Sequence, residues 1–228
     1  MKKITEKQNK TFTEHLVRNV ARRVIPLAFD AAKMPEQAAK LRAIDENASM
    51  AELSLVCRDT ADATSAAYAS ATSAAYAADT RAYAASAAAA YATRAPRTAA
   101  ADTQEYTACL LDAADSAGLV IPARLNLATL TLETVVAENR FSMCKWHERP
   151  GPENWCNTTH CQAGAAIAIC KDDGGWELEK AFGPATAGAL IYAASDREAG
   201  RVPQIPNFEA TDEDGLADLH RRALLEYI

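Results

Sequence analysis

Between Glu52 and Ala95 the chain contains neither glycine nor proline, and alanine dominates it. Alanine loses least on entering a helix, whereas glycine and proline are the residues that end one. The stretch therefore predicts one long helix over about 57–95, or two helices folded as a hairpin. A straight helix over 61–95 would be about 52 Å long. Within it Tyr68, Tyr76, Tyr83 and Tyr91 recur at intervals of 8, 7 and 8 residues. At about 100° per residue they share one sector of roughly 140°. Tyrosine brings rigid area and a hydroxyl to interfaces. These four are accordingly candidate interaction residues, set against the plainer use of filling an intramolecular hairpin. Pro96 should break the helix.

The flanking sequence divides into two further regions. Residues 1–50 read as an N-terminal helical segment. Leu16, Val17, Val20 and Val24 make an apolar stripe, Pro26 interrupts that helix or starts the next, and Pro35-Glu36 opens another through Ala43. Residues 51–118 form the Ala/Tyr-rich arm. It includes a second helix from Thr103 to Ala117 with Gly118 as its stop. Residues 119–228 read as a compact helical domain. Leu125 to Glu133 alternates like a strand, but no partner strand is evident, and a helix from Asn126 is preferred. Helices are then expected from Cys161 to Cys170, Trp176 to Phe182, Ala185 to Ala194 and Asp212 to Tyr227. Thr158 or Thr159 should cap the first of them, and Thr211 the last. The final helix should bury Leu216, Leu219, Ala223 and either Leu224 or Tyr227. The fold class expected is all-α or mainly α.

The net charge of −6 argues against general nucleic-acid binding, which needs clustered lysine and arginine. The basic residues that do cluster, Lys2 to Lys10 and Arg18 to Arg23, read as a solvated tail and a charged helix face. The N-terminus is polar where a signal peptide needs an apolar run, and no window suits a membrane span. The chain thus reads as cytoplasmic, with its six cysteines reduced by default. Cys57, Cys109 and Cys170 lie in apolar helical sequence and read as small buried hydrophobes.

Chemistry concentrates elsewhere. Cys156, His160 and Cys161 fall within six residues, with Trp146-His147 upstream and Cys144 in reserve. His147, Cys156, His160 and Cys161 could furnish the four ligands zinc requires, although adjacent His160 and Cys161 need an irregular backbone to share one ion. No other cofactor is expected. Alternatively, Cys161 in a first helical turn would have its thiol pKa lowered by the helix dipole, with His147 or His160 as base. A Cys156–Cys161 redox pair is a third option. The plainest reading is buried thiols beside a helix packed closely through Ala163 and Gly164.

Phe141-Ser142-Met143, Trp146-His147, Cys156-Asn157-Thr158-Thr159-His160-Cys161-Gln162-Ala163-Gly164, Leu190-Ile191-Tyr192 and Ala217-Asp218-Leu219 together resemble a pattern found in uncharacterised phage and bacterial proteins. That pattern reads Cys-Gly-Thr-x-x-Cys-x-Ala-Gly through its centre, and Ala/Tyr-rich arms accompany it. Asn157 departs from the glycine, and His160 is not constant in such proteins. The resemblance implies a phage or mobile-element setting and no activity. Two functions follow as expectations. The first is a non-enzymatic protein-protein interaction protein, acting with itself as a homo-oligomer or on a host regulatory or defence protein. The second is a small cysteine-dependent hydrolase, transferase or redox enzyme using Cys161 or Cys156 with His147 or His160.

Overall fold

The computed structural model describes residues 3–31, 34–57, 99–137, 141–143, 160–208 and 210–227. The protein is mainly helical. Among the described residues there is no strand, only an isolated parallel bridge between Phe141 and His160. No helix of the described residues is long and apolar enough to cross a membrane. The predicted helix over about 57–95, with Tyr68, Tyr76, Tyr83 and Tyr91, lies almost wholly outside the described residues. The chain forms two compact units, Lys10–Ser116 and Met1–Asn9 with Ala117–Ile228.

In the Lys10–Ser116 unit, α1 (Glu6–Asn19) runs into a π turn at Val20–Val24 and then α2 (Ile25–Ala31). Pro26 explains the π turn. Proline has no N–H to give and its ring crowds the carbonyl one turn back. Widening the preceding turn accommodates it, and Ile25 N–H bonds to Val20 O instead. Pro26 therefore interrupts the α-helix, as expected, with α2 beginning one residue ahead of it. Of the apolar stripe, Leu16, Val20 and Val24 are buried, together with Phe12 and Ala21, and Val17 is half-buried. α3 (Pro35–Arg42) starts at its proline as expected.

A further helical stretch, 50–57, begins at a capping box. Ser49 Oγ accepts from Glu52 N at 3.2 Å, and Ser49 N donates to Glu52 Oε2 at 2.8 Å. Leu53 of this stretch joins Ala21, Leu41 and Ile44 in one apolar cluster. α4 (Ala99–Ser116) starts earlier than Thr103 and ends ahead of Gly118. Arg23 ties it to the π turn by ion pairs to Glu105 and, at 2.5 Å, to Asp112.

The second unit holds α5 (Leu127–Thr131), which continues through a π turn at Leu132–Val136. It also holds α6 (Gln162–Ile169), α7 (Gly175–Phe182), α8 (Pro184–Glu198) and α9 (Asp212–Leu225). The strand-like alternation of Leu125–Glu133 thus resolves as helix. α8 is longer than predicted, and every residue from Ala187 to Asp196 is buried, so it is the unit's central helix. Its neighbours cover it closely because both sides are built from small residues. A Cβ placed on Gly188 would lie 2.5 Å from Ala163 Cβ and 2.8 Å from Ala163 Cα. The close packing expected at Ala163 is present, and Gly188 is its partner.

α9 starts where predicted, with Thr211 Oγ1 accepting from Asp214 N at 3.2 Å. Its buried face differs from expectation. Leu219 and Ala223 are buried and Leu216 is half-buried, but Leu224 and Tyr227 are 70% and 78% exposed. Arg222 occupies the inward position instead, only 8% exposed.

Candidate functional site

Cys144, His147 and Cys156 lie outside the described residues, as do the expected caps Thr158 and Thr159. Of the sequence-derived set, His160 and Cys161 are described, and both are 1% exposed. The short segment Phe141–Met143 runs beside them. Ser142 N donates to His160 O at 3.0 Å. Asp212, in the first turn of α9, accepts from Met143 N at 2.5 Å and stands 3.4 Å from Ser142 Oγ. Met143 and Phe141 then lie against the bare backbone of Gly215, where a Cβ would come within 2.7 Å of Met143 Cγ. Gln162 Nε2 reaches the same helix, donating to Gly215 O at 2.9 Å. Phe141, Ser142 and Met143 are thus held on the start of α9, Gln162 is bonded to it, and Cys161 and Ala163 pack with Met143. This gives a physical role to residues that the sequence reading had singled out.

Cys161 itself is the N-cap of α6, in place of the expected Thr158 or Thr159, and not a member of its first turn. Its backbone is extended (φ −78°, ψ 177°) and Sγ accepts from Gly164 N at 3.4 Å. The sequence predicts a lowered thiol pKa, but the direction is the opposite. Burial pushes Cys161 above its ordinary value near 9, and the amides of Gly164 and Ala163 that favour the thiolate do not compensate. A thiol held in this way stays protonated at neutral pH, whereas nucleophilic chemistry needs the thiolate. Cys109 and Cys170 are fully buried, and burial raises them to about 12 and about 11 respectively. Cys57 is half-buried. Among the described residues no three His, Cys, Asp or Glu side chains gather so as to hold a metal ion. The zinc set and the Cys156–Cys161 pair each depend on residues outside that range.

A second feature was not anticipated. α5, the end of α8, residues 201–204 and α9 enclose a cleft of about 370 Å³. Its floor is a buried ionic cluster. Arg222 Nε donates to Asp218 at 2.7 Å, Nη1 lies 3.8 Å from Asp196, and the guanidinium stands 5.5 Å from the centre of the Tyr192 ring. Asp196 also accepts from Arg201 Nε and from Gln204 N, each at 3.0 Å. Burial alone would raise the Asp218 carboxyl. The fields and hydrogen bonds of Arg222 and Arg221 outweigh it, and Asp218 sits below its ordinary value. Tyr192 is raised strongly, by burial against the opposing pull of Arg222.

At one end Glu226 caps α5. Its Oε1 accepts from Ala128 N at 2.8 Å, and its Oε2 accepts from Thr129 N and Thr129 Oγ1 at 2.9 and 2.7 Å. Apolar walls come from Leu127, Val202 and Leu225. The sequence did contain one signal of this site. Arg222 follows Leu219 by three residues and so falls on the apolar stripe of α9. A charge on such a stripe must either be solvated or meet a partner from another element. Asp196 is that partner, and it is distant in sequence.

Comparison with protein-family models, with curated proteins and with solved structures finds no match for this chain.

Proposed function

We infer that this chain is a non-enzymatic protein-protein interaction protein of phage or mobile-element type, which associates with a second copy of itself or with a host regulatory or defence protein. The observation that carries the reading is the outer face at the end of α9. Leu224, Leu225 and Tyr227 are 70%, 45% and 78% exposed within four residues. Grouped apolar side chains left in water usually mark a contact surface. The tyrosine series of the 51–118 arm supports the same reading from sequence, and the phage setting rests on the motif resemblance. The rival, a cysteine-dependent enzyme, draws less support because Cys161 is buried and its thiol pKa is raised.

The test compares the native chain with two sets of variants, Leu224→Glu with Tyr227→Glu, and Tyr68, Tyr76, Tyr83 and Tyr91 all to Glu. Light scattering and quantitative capture of co-purifying protein are read for each. Loss of the oligomer or of one stoichiometric partner, with the far-ultraviolet dichroism unchanged, is expected. A chain that is monomeric throughout and captures the same proteins in all three forms would refute the reading.

A further inference from the structure

The cleft bounded by α5, α8 and α9 has an uneven hydrogen-bond ledger. Its two acidic side chains are spent. Both oxygens of Glu226 are taken up by the start of α5, and both oxygens of Asp196 accept, from Arg201 Nε and from Gln204 N. Ser195 Oγ is spent as well, donating to Ile191 O at 2.7 Å and accepting from Arg124 N at 3.0 Å. The donors are not. Arg201 Nη1 and Nη2 reach only Leu125 O, at 3.5 and 3.4 Å, the outer limit of a hydrogen bond. The bonds of Arg222 leave from Nε and Nη1. Among the charged groups, the residual capacity of the cleft is therefore guanidinium N–H, above walls of Leu127, Val202 and Leu225. Formal charge does not create this preference, because Arg201 and Arg222 are balanced by Asp196 and Glu226 in the lining. It arises because the carboxylates are occupied by short bonds, while the Nη groups of Arg201 are held only by two long contacts to Leu125 O that a better acceptor can displace.

We propose that this cleft is a binding site for a small carboxylic acid with a short apolar body. The carboxylate takes the place of Leu125 O on the paired Nη groups of Arg201, whose two parallel N–H bonds match its two oxygens. The apolar body lies along Leu127, Val202 and Leu225. The volume is within the range of small-ligand sites, which pair apolar walls with a few convergent polar groups. The site adjoins the protein-contact surface inferred above and shares Leu225 with it, but neither Leu224 nor Tyr227 lines it.

Hexanoate, hexanol and hexylamine serve as matched probes, titrated into the full-length chain and followed by calorimetry and by chemical-shift changes at Tyr192 and Ser195. Hexanoate should bind at least tenfold more tightly than hexanol, and hexylamine should not bind. Arg201→Gln should remove the preference for hexanoate. Arg201 also pairs with Asp196, so Val202→Glu provides an independent check. That residue is 59% exposed, and a carboxylate there at the mouth should weaken hexanoate at least tenfold without disturbing the dichroism. Equal affinity for hexanoate and hexanol would overturn the proposal. So would absence of hexanoate binding at millimolar concentration, or hexanoate affinity unchanged in a folded Val202→Glu chain. The oligomer and capture measurements are independent of all these outcomes.

Discussion

Gly188→Ala sets two effects of opposite sign against each other, and the geometry decides between them. In a helix interior the change from glycine to alanine normally stabilises by about 1 kcal/mol, because glycine loses more backbone freedom on folding. Here the added Cβ would stand 2.5 Å from Ala163 Cβ, 2.8 Å from Ala163 Cα and 3.4 Å from Ala163 O. Carbon atoms prefer roughly 3.5–4.0 Å, so α6 and α8 must separate by about 1 Å. Neither close carbon can swing aside, since one is backbone and the other is fixed to it. Overpacking costs about 1–3 kcal/mol in cores that relax, and this site is at the upper end of that range.

A net loss of about 2 kcal/mol is expected after the propensity gain is subtracted. For a chain of this size that corresponds to a fall in Tm of roughly 4–8 °C. Urea unfolding followed by tryptophan fluorescence is the assay, because Trp176 lies in α7 of the same unit. Ala163→Gly in the Gly188→Ala background removes the nearer contact, so the pair should show a favourable coupling of about 1 kcal/mol or more. A Gly188→Ala chain more stable than the native one would refute the close approach of the two helices.

Three further outcomes follow from the same structure. Arg222→Ala leaves Asp196 with Arg201 alone and Asp218 with Arg221 alone as cations, and should cost about 1–3 kcal/mol in urea unfolding; a loss below about 0.5 kcal/mol would show that the cluster is solvated. Because the Asp218 carboxyl is held below its ordinary value in the folded chain, its contribution is fully present above about pH 4–5 and is lost as pH falls through the folded pKa. Asp218→Asn should therefore flatten the acid limb of stability against pH, and an unchanged limb would contradict that assignment. In alkylation of native protein at pH 8 with mass-spectrometric mapping, Cys57 should be modified well ahead of Cys109, Cys161 and Cys170. Preferential labelling of Cys161 would revive the enzyme reading.

The helical class and most helix starts are legible in the sequence. Local signals suffice for these: Pro35 at the head of α3, Thr211 capping α9, and the 3.6-residue stripe through Phe12, Leu16 and Val20. The sequence also singled out Phe141–Met143 and Cys161–Ala163, which do meet, although spacing alone could not say that both reach Gly215 of α9.

Only the tertiary structure decided what each exposed or buried position had to satisfy. Cys161 stands at a helix start, as spacing suggested, yet burial reverses the pKa shift that position implies, and burial is a property of the elements packed around it. Leu224 and Tyr227 are apolar and near the expected stripe, yet Arg222 takes the inward place because Asp196, on α8, and Asp218 offer it charge there. Arg222 and Asp196 are 26 residues apart. Hydrophobic periodicity ranks residues by their own solvation. It carries no term for a partner on another helix, and here that partner determines which side of α9 faces inward.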